Sequence, residues 1–144
     1  MTLAAHIPDG ATVLIDTNPI VYWFEDSPLA VPFESVFADV QAGRIDAMVT
    51  PITVAEVVSG PLRAGKEALA ERYRQALAGS QGFTVRDTNA DIAMLAARLR
   101  LRHALKLPDA IQLATAVHAG CFALLSRDRD FRNVTDVLVL GSAS

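Results

Sequence analysis

The dominant pattern in this chain is a series of short apolar runs, each followed by a stretch whose apolar positions recur every three to four residues. Thr12 to Ile15 (TVLI) is continuously apolar and stops at Asp16, the signature of a strand buried on both faces of a parallel sheet. Asn18 in a capping position and Pro19 at the first helical position predict a helix through Glu25. Pro28 to Ala42 reads as a helix ended by Gly43, and Ile45 to Val49 as a second strand. A helix opening near Thr53 and a longer amphipathic one over Lys66 to Ala78 precede a short third strand, Phe83 to Arg86. Asn89 caps a predicted helix running to Ala104, with Ile92, Leu95, Ala96 and Leu99 on one face and Arg98, Arg102 and His103 on the other. Pro108 opens a helix through Ala119, closed by Gly120, whose core positions are Ile111, Leu113, Ala114 and Val117. Cys121 to Leu125 and Val137 to Leu140 read as the last strands, with the polar segment SRDRDF between them.

Strands alternating with helices imply an α/β sandwich, a mainly parallel sheet covered on both sides. With 144 residues and no repeat, low-complexity tract or linker, the expectation is a single domain spanning 1–144. A hydrophobic share of 51% against 20% charged is a globular composition. The lone cysteine, Cys121, has no partner for an internal disulfide and reads as a small buried hydrophobe, which suits a reducing, cytoplasmic setting. MTLAAHIPDG lacks a basic stretch ahead of its apolar residues, so a secretory signal is not expected, and no apolar run reaches membrane-spanning length. The net charge of −3 runs against the basic balance of many nucleic-acid binders. Bound cations reverse that objection locally, because an acidic pocket that holds metal presents positive charge to a phosphate.

Ligands of open α/β sheets bind beyond the carboxyl ends of the strands. Asp16 and Asp128 both follow predicted strands, while Asp109 and Glu56 lie near helix starts, so four acids can share one edge. At about 5 Å and an effective dielectric of about 20, each carboxylate pair repels by roughly 3 kcal/mol. Hard divalent cations such as Mg²⁺ or Mn²⁺ compensate that repulsion, take oxygen ligands and favour phosphodiester hydrolysis. Each acid also has a purely structural reading: Thr53-Val-Ala-Glu56 is a capping box, Asp109 suits a helix dipole, and Asp128 and Asp130 suit a polar turn. Asp16 is the least ordinary, since it follows a buried strand directly.

Taken together and in order, VLIDTNPIVY, ITVAEV, LPDAIQLATA and LLSRDRDF resemble the motifs of PIN-domain ribonucleases, specifically the VapC-like toxins of toxin–antitoxin pairs. The resemblance spans nearly the whole chain and implies a PIN-like three-layer α/β/α sandwich. It also implies that Asp16, Glu56, Asp109 and Asp128 ligate Mg²⁺ or Mn²⁺ for endonucleolytic cleavage of RNA, with transfer RNA as the expected class. Thr17, Asn18 and Ser126 are implied in hydrogen bonds to the acids or their waters, Phe131 in packing beneath the loop, and Asp130 as an acid ranked below Asp128. A homodimer and a VapB-like antitoxin that reaches the acidic pocket are the implied partners. The chain departs from the family in Ser126 and Arg127, where Thr and Asn are frequent.

Arg98, Arg100, Arg102, His103 and Lys106 are candidates to guide an RNA backbone, or else a solvated helix face. Tyr22, Trp23 and Phe24 can stack bases or fill a buried helix. A dehalogenase-like phosphatase needs a second Asp where Asn18 stands, and a receiver domain needs a late-strand Lys and an N-terminal acidic pair that the chain lacks. The remaining alternative is a catalytically silent PIN-like module that binds RNA or a protein.

Overall fold

In a computed structural model that describes residues 1–142, the apolar runs form β1 (Thr12–Ile15), β2 (Asp46–Val49), β3 (Phe83–Val85), β4 (Ala123–Leu125) and β5 (Leu138–Leu140). They build one sheet in the order β3-β2-β1-β4-β5, and every neighbouring pair is parallel. The helices are α1 (Thr17–Phe24), α2 (Glu34–Gln41), α3 (Pro51–Arg63), α4 (Glu67–Ala78), α5 (Ala90–His103) and α6 (Leu107–His118).

The chain winds outward from β1 to β3, then returns across the sheet to β4. Because parallel crossovers are right-handed, this reversal puts α1–α4 on one face and α5–α6 on the other. Alternation within the strands records the division. Val13, Ile15, Ala47, Val49, Ala123 and Leu125 join the core that includes Ile20, Phe33, Phe37, Val57 and Leu77. Leu14, Met48 and Leu124 join the other core with Ile92, Leu99, Leu113 and Phe131. The result is the expected three-layer sandwich, with strands so short and so thoroughly covered that they read as continuous apolar runs.

Three local expectations are corrected. The cap of α1 is Asp16, whose side chain accepts from the Thr17 backbone N–H, so Asn18 lies inside the first turn and is exposed. The cap of α3 is Thr50, followed by Pro51, so Thr53 lies inside the helix and the Thr53–Glu56 capping box does not form. The segment predicted as one helix from Pro28 divides into a 3-10 turn, Pro28–Phe33, and α2, because Pro32 has no N–H for a continuous α-helical ladder.

The aromatic run resolves into packing. Trp23 stacks on Phe37 with ring centroids 4.2 Å apart and lies 6.0 Å from Phe83, while Phe24 meets Tyr73 at 4.7 Å. Cys121 is buried with its sulfur 3.9 Å from that of Met48, and burial pushes its thiol up to about 11. No helix among the described residues is long and apolar enough to cross a membrane.

Candidate active site

The strand order reverses direction at β1, which has β2 on one side and β4 on the other. A crevice therefore opens beyond the carboxyl ends of β1 and β4, where Ile15 and Leu125 are paired in register. The next residue of each strand enters this crevice: Asp16 from β1 and Ser126 from β4. Both are buried, and the Ser126 hydroxyl donates to Asp16 Oδ2 at 2.8 Å.

Asp16 is held on every side. Its Oδ1 accepts from the Thr17 backbone N–H at 2.9 Å and from Gln112 Nε2 at 3.0 Å. A carboxylate only 6% exposed needs such donors, because a buried polar group left without hydrogen bonds is costly. Thr17 extends the network, since its hydroxyl donates to Glu56 Oε1 at 2.8 Å. Glu56, freed from capping, is thus joined to Asp16 through one residue while its side chain stays exposed.

Ser126 also orders the following loop, its Oγ accepting from the Asp128 backbone N–H at 2.9 Å. Asp128 caps a short 3-10 turn, Arg129–Phe131, and its Oδ1 accepts from the Asp130 N–H at 2.8 Å. Phe131 is fully buried, in line with the packing that the resemblance implies. Asp109 approaches from the first turn of α6, and carboxylate oxygens of Asp109, Asp128 and Asp130 all lie within 4.8 Å of one another.

The tight trio therefore contains Asp130, which the sequence ranked below Asp128, while Asp16 flanks it and Glu56 is connected through Thr17. Asn18 makes no side-chain hydrogen bond among the described residues. Electrostatics register the crowding at Asp109, whose carboxyl is pushed up to about 7 by burial first and then by the charges of Asp128, Asp16 and Asp130, with Lys106 partly offsetting them. An all-oxygen donor set with no His or Cys, and with one member resisting ionisation, fits a hard divalent cation such as Mg²⁺ or Mn²⁺.

Sequence reasoning missed Gln112. It is 1% exposed, and its Nε2 also donates to Thr53 Oγ1 at 2.7 Å while its Oε1 accepts from the Thr50 hydroxyl. One amide thereby ties α6 to both the start of α3 and Asp16. The signal was spacing: Gln112 stands three residues after Asp109 and so on the same side of α6.

The PIN-domain family profile matches residues 13–137, a span that takes in Asp16, Glu56, Asp109, Asp128 and Asp130. The chain belongs to the PIN-domain family. Its fold matches those of VapC toxins from VapBC toxin–antitoxin systems. A toxin–antitoxin complex from Klebsiella pneumoniae has a chain 29% identical, with a TM-score of 0.69 over 88% of this chain and 95% of that one. VapBC2 from Rickettsia felis, solved bound to a DNA fragment from its promoter, gives a TM-score of 0.70 at 14% identity over 89% and 96% of the two chains. VapC20 of Mycobacterium tuberculosis, described as a Sarcin-Ricin loop cleaving toxin, gives 0.66 at 15% identity over 87% and 98%. No protein of curated function matches this PIN domain by sequence.

Proposed function

We propose that this PIN domain is a metal-dependent endoribonuclease, the toxin of a VapBC-like pair. The observation that carries the proposal is the packing of Asp109, Asp128 and Asp130 to within 4.8 Å, beside a buried Asp16, at the crevice where the strand order reverses. Such a cluster has little structural purpose, since it strains the ionisation of Asp109 without forming any ion pair of its own.

Asp16, Asp109, Asp128 and Glu56 are the proposed metal-binding and catalytic acids, and the geometry adds Asp130 to them. When bound there, Mg²⁺ or Mn²⁺ supplies Lewis acidity and neutralises charge developing on a phosphodiester. The protein's own part is positional. Ser126, Thr17 and Gln112 hold Asp16 in one orientation, and the Asp128–Asp130 turn fixes the spacing of the loop acids. Without a cation the Asp109 carboxyl is pushed up to about 7 by burial and then by its acidic neighbours, and a bound cation would offset that crowding. Asn18, exposed on the first turn of α1, is the member of the predicted set whose side chain makes no hydrogen bond among the described residues.

The proposed partners are RNA, a VapB-like antitoxin and a second copy of the chain, all in the cytoplasm. The Klebsiella pneumoniae relative, solved in a toxin–antitoxin complex, supports the antitoxin. Light scattering of the purified chain, alone and co-expressed with the antitoxin, tests the assembly; a monomer in both samples removes the homodimer.

The decisive experiment incubates antitoxin-free protein with end-labelled RNA, including transfer RNA, plus Mg²⁺ or Mn²⁺, beside EDTA and folded Asp16→Asn and Asp128→Asn controls. Discrete cleavage that disappears in all three controls is the expected result. Intact RNA across the panel, with binding retained, would instead favour the silent interaction module.

A further inference from the structure

Basic side chains lie around the carboxylates, and the structure divides them into two groups. Arg102 and His103, at the end of α5, are already engaged: Arg102 Nη1 donates to Asp136 Oδ2 at 2.8 Å, and His103 Nε2 lies 2.6 Å from Asp136 Oδ1. Burial alone would raise the Asp136 carboxyl, yet His103 and then Arg102 hold it below its ordinary range. These two side chains therefore join α5 to the segment leading into β5.

Lys106, Arg129 and Arg132 form the second group. All three are exposed, none makes an ion pair among the described residues, and all border one shallow pocket of about 260 Å³ that is also lined by Asp130, Asn133 and His103. Arg129 stands in sequence between two of the clustered acids and still pairs with neither. Lys106 directly precedes α6, and its ammonium makes no hydrogen bond or ion pair among the described residues, acting within the fold only through its charge on Asp109. In a chain of net charge −3, three uncommitted cations beside an acidic trio make a surface with one negative and one positive half. A polyanion fits that division: one phosphate lies at the acids with their cation, and the next needs positive side chains close by.

We infer that this pocket binds an RNA phosphodiester adjacent to the one at the carboxylates, with Lys106 and Arg132 as its principal contacts and Arg129 and Asn133 completing it. The assignment rests on the ribonuclease reading above. It separates these three cations from Arg102, which is committed to Asp136, and centres the contact surface on the start of α6 and the loop after β4.

The test uses the full chain and a fluorescein-labelled single-stranded RNA of mixed sequence, with Ca²⁺ in place of the activating cation, read by anisotropy across a salt series. Lys106→Ala and Arg132→Ala each weaken binding about tenfold and reduce the slope of log K against log salt by about 0.7, the value for one lost contact to a single strand. Lys106→Arg and Arg132→Lys restore most of the affinity, and Arg72→Ala, on α4, changes nothing. In cleavage assays with Mg²⁺ the two alanine variants raise KM and leave kcat within about twofold, as loss of uniform substrate binding requires. Parent protein that binds and cleaves RNA, with both variants matching it in affinity and salt slope, overturns the pocket and leaves the ribonuclease intact. Parent protein that neither binds nor cleaves RNA removes both. Circular dichroism of each variant excludes loss of fold as the cause of weaker binding.

Discussion

Gln112 concentrates the residue-scale argument. The sequence offers it as a polar interruption between Ile111 and Leu113, the usual mark of a solvent-facing position, yet it is buried with hydrogen bonds to three side chains. Periodicity grades apolar positions and is blind to a polar residue placed inside for its bonds, whereas Asp16 was legible as the least ordinary of the acids because it directly ends a buried apolar strand. Gln112→Leu keeps the volume and deletes the bonds, leaving the Thr50 hydroxyl and one Asp16 oxygen short of a partner. A buried group left unsatisfied costs about 1–3 kcal/mol, so urea denaturation should show a stability loss of that size. Because Asp16 loses a restraint and no proposed RNA contact is removed, kcat for the proposed RNA cleavage should fall at least tenfold while KM stays near the parent value. Equal turnover by a folded Gln112→Leu protein contradicts the positioning role.

At the scale of elements, the strands and most helices were legible, and apart from the break at Pro32 the errors share one physical origin. Helix starts were placed at the first residue that suits a cap, whereas the sheet fixes them at the residue where a strand ends. β1 runs directly into Asp16 and β2 directly into Thr50, so those residues become the caps of α1 and α3, and Asn18 and Thr53 fall inside. The consequence reaches the site, because displacing the capping box by three residues releases Glu56 to meet Thr17. Composition of the acidic trio was less accessible, since only the turn that Asp128 caps brings Asp130 beside Asp109. Thr50 therefore acts twice, accepting from the Thr53 N–H and donating to Gln112. Thr50→Ala should cost about 1–2 kcal/mol, the upper range for a lost cap, measurable by chemical denaturation. A substantial fall in RNA cleavage should accompany it. Thr50→Ser, which retains the hydroxyl, keeps both properties near the parent level, and failure of serine to rescue would assign the effect to the methyl group and its packing instead.

For the whole molecule, the two cores lie on opposite faces of the sheet, and the acids join elements from both: Asp16 follows β1, Asp109 sits on α6 and Asp128 follows β4. We propose that residues 1–142 unfold as one unit, so a perturbation at Asp109 is felt by the single tryptophan, Trp23, which stacks in the α1–α4 core. The Asp109 carboxyl is raised to about 7 from an ordinary value of 3.8, so the folded state binds a proton that the unfolded chain releases. That stabilisation is complete below the unfolded value and is lost as pH rises through 7, at no more than about 1.4 kcal/mol per pH unit for one proton. Asp136, held below its ordinary range, has the opposite sign and loses its contribution only on acidification below about 4. Between pH 5 and 8 in EDTA, the melting temperature therefore falls, and Asp109→Asn flattens the profile while raising stability at pH 8. Mg²⁺ at a hundred times its Kd restores about 2.7 kcal/mol to the parent at pH 8 and far less to Asp109→Asn. Trp23 fluorescence and far-ultraviolet circular dichroism should report the same midpoint at each pH, with and without Mg²⁺. Divergent midpoints would mean that the two faces unfold separately, and a flat parent profile in EDTA would mean that the crowded acids share no proton near neutrality.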